Sequence, residues 1–282
     1  MVATLRLIVH ADDLGISEQV NNGILKAHQE GILTSTSIMA TGAAFEHAVT
    51  TCRSVPNLDV GIHLTLVEEQ PLLEKELIPS LVDSEGRFFG HATMFTQRYF
   101  LRKIRIAEVV HELDAQIRKV LDSGLAISHL DSHQHVHMLP EIWRAVVELA
   151  TKYHIPAVRL ARERLRLYML RESSAAARVG PLLILNLLAG NCQGKKIRTT
   201  DNFVGFYFGG KMTKKNMKTV IKNLPASGTC ELMCHPGLLG SDERYGHWYY
   251  NWGAELDALI DPEVQGLLRS KGVELISYRD LG

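Results

Sequence analysis

Short apolar runs alternate with longer amphipathic stretches along most of the chain, and this alternation restricts the fold more than any other feature. Leu5–Ala11, Ser35–Ala40, Leu58–Leu66, Ala126–Leu130, Ala157–Leu160, Glu231–Cys234 and Val273–Ser277 have the length and apolar content of buried strands, and Phe203–Phe208 is a weaker eighth. Between them, Val20–Glu30, Ala44–Cys52, Ala107–Asp122, Pro140–Tyr153, Lys214–Asn223 and Glu263–Ser270 place apolar residues three and four apart, as helices burying one face do. Strand, helix, strand, helix is the order of parallel βαβ units. The class is α/β, either a barrel or a doubly wound sheet.

The chain has 282 residues, and an α/β barrel commonly takes about 250. No Gly/Ser linker, charge block or internal repeat divides it, so a single domain over 1–282 is expected. Two segments break the rhythm, Val67–Tyr99 and Ala161–Thr200. Each is longer than an ordinary connection and is expected to cover and shape a site. The second carries Arg162, Arg164, Arg166, Arg171 and Arg178, read as a solvated helix face rather than an anion-reading cover. Its apolar run Val179–Gly190 is too short to span a membrane. It reads as a buried helix or a subunit contact, with an apolar groove for a greasy substrate as the alternative. Ser17 is placed to cap the helix that begins near Val20.

Lys plus Arg and Asp plus Glu both total 31, so no overall field draws this protein to nucleic acid or an anionic membrane. A small or neutral molecule is the expected partner. The start, MVATLRLIVHADD, has no signal-peptide core. Cys52, Cys192, Cys230 and Cys234 are scattered and match no zinc spacing, so they read as reduced core thiols in a cytoplasmic protein. A homodimer is the ordinary expectation for such a protein.

The chemistry concentrates at the ends of apolar runs. His129, Asp131, His133, His135 and His137 fall within HLDSHQHVHM, and in an extended backbone all five share one face. Imidazoles and a carboxylate crowded together point to a metal rather than to packing. Other runs end in His10-Ala11-Asp12-Asp13, in Arg159 and in Cys234-His235-Pro236-Gly237, and a further one contains Gly61-Ile62-His63. Active sites of parallel barrels and open α/β sheets form where strands end, so these groups are expected to meet. The set supplies metal ligands plus a spare carboxylate and a spare His, the kit of metal-assisted hydrolysis. No G-x-S-x-G elbow, Walker loop or H-E-x-x-H is present.

At these residues the chain resembles the YdjC-like (ChbG/HpnK) family of carbohydrate deacetylases. The matching pieces are LIVHADDLGIS, GILTSTSIMATG, VGIHLTL, ISHLDSHQHVHMLP, PAVRLARE and TCELMCHPG, in the family's order from residue 5 to about 237. The resemblance implies a deformed (β/α) TIM-like barrel with seven or eight mainly parallel strands, and one divalent metal ion, with Mg or Zn ahead of Co or Ni. It implies removal of an N-acetyl group from an amino sugar, of chito-oligosaccharide or glycosyl-lipid type, with release of acetate. Asp13, His63 and His133 would be the metal ligands, Asp12 the general base and His235 the acid, with Arg159 orienting Asp12. His10 would line the pocket. His137 is left as a further ligand or, with His129, Asp131 and His135, as a support. Leu64, Met138 or Leu139 would line an acetyl pocket, and Trp248, Tyr249, Tyr250 and Trp252 would offer a sugar platform or else a core or dimer contact. The alternatives are another metal-dependent amidohydrolase or phosphoesterase, which often bridges two ions, and a non-catalytic sugar-binding homologue.

Overall fold

Strand β1, Leu5–Leu14, runs through the middle of the sheet, and nearly every residue of LRLIVHADDL is buried because both of its faces are covered. The protein is described by a computed structural model covering residues 4–170, 177–192, 197–238 and 243–281. After β1 come α1 (Glu18–Glu30), β2 (Ser35–Ile38), α2 (Phe45–Ser54), β3 (Asp59–Leu64), α3 (Ala92–Phe100), α4 (Ile106–Asp122) and β4 (Ile127–Ser132). A 3-10 turn, His133–Met138, leads into α5 (Pro140–Lys152) and β5 (Ala157–Val158). Then follow α6 (Val179–Ala189), β6 (Asn202–Val204), α7 (Lys214–Lys222), β7 (Gly228–Cys234), α8 (Trp252–Ile260), α9 (Pro262–Ser270) and β8 (Glu274–Ile276). The Ser17 hydroxyl caps α1 by accepting from Val20 N, as its position suggested.

Every strand pairing is parallel, in the order β5-β4-β3-β2-β1-β7-β6. β8 joins the first half of β1, where β2 has not yet begun to pair. A bridge from Ala157 to Arg198 ties β5 to the chain just ahead of β6, so the sheet curls toward closure. This is the deformed (β/α) barrel rather than a flat doubly wound sheet.

The eight expected strands are all present. The helices α3 and α8 were not foreseen, since MFTQRYF and WGAELDALI lack a clean polar face. Helix α6 is apolar all round; Leu182 and Leu185 are buried, but Leu187 is 72% exposed. The expectation of a buried helix therefore holds for one face only. Residues 162–166 carry no helix or strand, although Arg162 and Arg164 do face solvent. Arg171 lies outside the described residues. No helix among the described residues is long and apolar enough to cross a membrane.

The barrel interior is layered. Ile8, Ala157, Ile276, Tyr278 and Leu281 form an apolar plug at its base. Above the plug the inward positions turn polar at the strand period of two: His10 and Asp12 on β1, Ser35 and Ser37 on β2, Gly61 and His63 on β3, His129 and Asp131 on β4. Gly61 is required there by space. A Cβ on it would lie 2.4 Å from the His129 ring, and Tyr278 stacks on that ring at 3.8 Å. Replacing Gly61 with Ala is expected to lower the unfolding free energy by about 1–3 kcal/mol, the range for overpacking. Urea unfolding checks this, and an unchanged midpoint would show that the ring can yield.

Candidate active site

The sequence DSHQHVHM does not continue as a strand. β4 ends at Ser132, and Gln134 and His135 take left-handed backbone angles (φ 51° and 56°) inside the turn. The five residues therefore do not share one face, which corrects the expectation from an extended backbone. His129 and Asp131 stay inside the barrel, His133 swings over its mouth, His135 joins the lining of the cleft above it, and His137 turns back onto Ser132 and Arg159.

A second local distortion matters as much. In a regular strand Asp12 and Asp13 would point to opposite faces. Asp13 has φ 66°, and the pairing of β1 with β2 slips between Ala11 and Leu14. The bulge lets both carboxylates reach the mouth of the barrel. Backbone in this region costs a non-glycine residue on the order of 1–3 kcal/mol, and such strain concentrates at functional sites.

Asp13, His63 and His133 converge. Asp13 Oδ1 is 3.3 Å from His63 Nε2 and 3.1 Å from His133 Nδ1. Each residue offers one ligand atom, and these atoms lie within 4.8 Å of one another. Asp13 Oδ2 and His63 Nε2 are buried without a hydrogen-bond partner among the described residues. A cation would satisfy both, so the group fits a metal ion. Burial opposes charge on all three. Even so, His133 and His63 hold the Asp13 carboxyl far below the usual carboxylate range. Asp131, Asp12 and Asp13 bring His63 up to about 10, and Asp13 and Glu68 bring His133 up to about 9. The cluster thus draws positive charge strongly.

Beneath it lies Arg159, wholly buried. It donates from Nη1 to Asp12 Oδ2 at 2.9 Å and from Nη2 to Asp12 Oδ1 at 2.7 Å. It also pairs with Asp131 at 2.8 Å and donates from Nε to Glu231 Oε1 at 2.9 Å. Its burial would weaken its charge, but the three carboxylates raise its pKa well above the usual value. Two other groups of potential ligands, His10-His129-Asp131 and Asp12-His63-Asp131, contain these same carboxylates. Arg159 already supplies the cation there, which leaves Asp13, His63 and His133 for a metal. Burial works against charge on Asp12, but Arg159, His10 and His63 keep it a carboxylate well below its ordinary range.

Of the four residues left open by the sequence, His129, Asp131 and His137 are engaged by neighbouring side chains and backbone. His129 has Nδ1 on Ser128 Oγ at 2.8 Å and Nε2 on His10 Nε2 at 2.9 Å. His137 has Nδ1 on Ser132 Oγ at 2.6 Å, and its Nε2 donates to the Arg159 carbonyl at 3.0 Å. With both nitrogens engaged, neither ring is free to bind a metal. Asp131 accepts from His63 Nδ1 at 2.9 Å and from Ser37 Oγ at 2.9 Å, fixing His63 so that Nε2 faces Asp13. His135 packs between Phe203 and Phe206. His10 is fully buried among Asp12, Arg159 and His129, so it does not line the pocket.

His235 follows β7. Its Nε2 lies 4.0 Å from Asp12 Oδ2, its backbone N–H donates to Glu255 at 2.6 Å, and Tyr250 packs on its ring at 4.7 Å. A cleft of about 600 Å³ opens over Asp12, His63, His133 and His235. Its far wall is apolar, with Phe100 from α3, Leu139, Phe206, and Pro181, Ile184 and Leu188 from α6. Leu139 is thus in place, whereas Leu64 and Met138 are buried in the core instead. Of the four aromatics only Tyr250 lines the cleft. Trp252 is buried against Gly237, Trp248 lies by His133 at 4.9 Å, and Tyr249 is exposed.

Glu231, Tyr278, Ser37 and Glu68 also reach this site, although no motif marks them as site residues. Glu231 left a signal: a carboxylate inside the apolar run CELMC must have a buried partner. Glu68 left none.

Comparison with known proteins places this arrangement. The pattern of the family described as YdjC-like protein matches residues 6–270. The chain belongs to the YdjC-like family. Its relatives include a carbohydrate deacetylase of Geobacillus stearothermophilus, 32% identical over 97% of this chain and 96% of its own. Another, from Brevibacillus brevis, is 31% identical over 99% of this chain and 100% of its own. A solved structure from Enterococcus faecalis V583, described as a proposed cellobiose-phosphate cleavage protein, superposes with a TM-score of 0.78 at 28% identity. It covers 99% of this YdjC-like chain and 100% of its own.

Proposed function

We propose that this chain is a cytoplasmic, metal-dependent carbohydrate N-deacetylase that removes an acetyl group from an amino sugar and releases acetate. The observation that carries the reading is the separation of tasks at the cleft floor. Asp13, His63 and His133 form a group with unpaired ligand atoms, while Asp12 is held by Arg159 and His235 stands beside it, anchored through its backbone N–H. The full-length carbohydrate deacetylase relatives support the reaction class, and four unpaired buried cysteines accord with a reducing compartment.

An acetamide is a poor electrophile with a poor leaving group. Asp13, His63 and His133 would hold a divalent ion, which would supply Lewis acidity toward the acetyl carbonyl and the attacking water. Two imidazoles and one carboxylate suit Zn, Co or Ni better than Mg, which prefers oxygen ligands. Asp12 is the general base: Arg159 keeps it ionised and fixes its orientation, so an oxygen is ready to take the water's proton. His235 is the acid, with Nε2 on the same side of the cleft as Asp12, where it can protonate the departing amine. Arg159 is a positioning residue that never meets substrate. It also disfavours a two-ion reading, since a second cation would compete with it for Asp12 and Asp131.

The carrier of the acetylated sugar is of the glycosyl-lipid type. Pro181, Ile184, Leu185, Leu188 and Phe100 give the cleft a wall suited to hydrocarbon rather than to sugar hydroxyls, and each buried CH2 adds about 0.8 kcal/mol. The test is acetate release from N-acetylglucosamine oligomers and from alkyl glycosides of N-acetylglucosamine. Metal-dependent release is expected, with kcat/KM rising more than about tenfold between methyl and octyl glycosides. Equal rates on all members would remove the lipid reading. No release by metal-loaded protein would favour another amide or ester substrate, or a non-catalytic sugar-binding role.

A further inference from the structure

The insertion Val67–Tyr99 reaches His133 through a side chain that the reaction chemistry did not call for. Glu68 is largely buried and adopts a left-handed backbone, φ 65°. Its Oε2 lies 3.3 Å from His133 Nε2, while the other nitrogen of that ring, Nδ1, faces Asp13 Oδ1 at 3.1 Å. His63 is held in the same manner: Asp131 takes Nδ1 at 2.9 Å, and Nε2 faces Asp13. Each candidate imidazole thus has one nitrogen on a carboxylate and the other on the shared ligand group. A carboxylate on the far nitrogen fixes the tautomer and the ring orientation and makes the ligand more basic.

The position of Glu68 is itself fixed from the insertion. Its backbone N–H donates to Phe89 at 3.3 Å, and its Oε1 pairs with His91 Nδ1 at 2.6 Å. Three residues beyond Phe89 and one beyond His91 the chain meets the metal-side turn again, where Ala92 N donates to Gln134 Oε1 at 2.7 Å. His133 and Gln134 are therefore gripped in succession by the insertion.

We propose that Glu68 is a positioning residue for the metal centre: it holds His133 Nε2–H, turns Nδ1 toward the ion site, and makes ion affinity depend on the 67–99 insertion. The inference rests on the metal reading of Asp13, His63 and His133. It adds a residue from outside the barrel strands to that reading.

The test is Co2+ binding by isothermal titration calorimetry to metal-stripped wild type, Glu68→Ala and Glu68→Gln, with thermal unfolding of each stripped protein as the folding control. Glu68→Ala is expected to weaken Co2+ by about 10–100-fold, the usual effect of losing such a partner. Glu68→Gln retains a carbonyl that accepts from Nε2–H, so it is expected to recover most of that loss. Wild-type binding with Glu68→Ala within about threefold of it would overturn the proposal and leave the metal centre standing. Equal losses in both variants, with folding intact, would overturn it in another way, by making the charged carboxylate itself a ligand. No Co2+ binding by wild type would bring down the metal reading and this inference together.

Discussion

Replacing Asp12 with Asn is expected to leave the ion in place and remove most turnover. Asn keeps the shape of the side chain and can still accept from Arg159, but it cannot take a proton from water. General bases contribute about 10²–10⁴-fold, so kcat for acetate release should fall by that order. Arg159 retains Asp131 and Glu231 as partners, so its charge stays compensated and the fold should persist. Asp12 is not in the Asp13-His63-His133 group, so metal content should match the wild type. Acetate assays beside elemental analysis decide the point. A kcat within threefold of wild type would remove Asp12 from the role of base. Loss of the ion would make it a ligand instead.

His133→Ala is expected to abolish metal and activity together. It deletes one of three ligand atoms and leaves Glu68 facing a cavity, with His91 and His247 still beside its Oε1. Losing a partner of a ligand already costs about 10–100-fold in affinity, and losing the ligand itself should exceed that. The contrast between the variants carries the argument: one should separate binding from turnover, the other should not. Normal activity in His133→Ala would contradict its assignment as a ligand.

The strands themselves, though not their order in the sheet, were legible because β1, β2, β3, β4 and β7 carry period-two or continuous apolar patterns set by burial on both faces. The short strands β5 and β6 were placed near their true positions for the same reason. Helix α3 escaped because only Phe95 of its nine residues is buried, which leaves almost no stripe to detect. Asp12, Asp13, His63, His133, Arg159 and His235 were legible as polar residues at strand ends. What could not be read was direction. The positive φ at Asp13, Gln134 and His135 decides which side chains enter the site, and periodicity assumes regular backbone. The five-residue face was lost for that reason. Glu68 and Tyr278 reach the site from 65 residues before His133 and 47 after Glu231, a proximity only the folded chain creates.

The most direct test of a single catalytic ion is a titration. Protein stripped with a chelator is given Zn2+ or Co2+ in substoichiometric steps, and acetate release is followed at each step. The account predicts negligible release from stripped protein, a linear rise, and a plateau at one ion per chain. Full release after stripping, or a plateau only at two ions per chain, would contradict it.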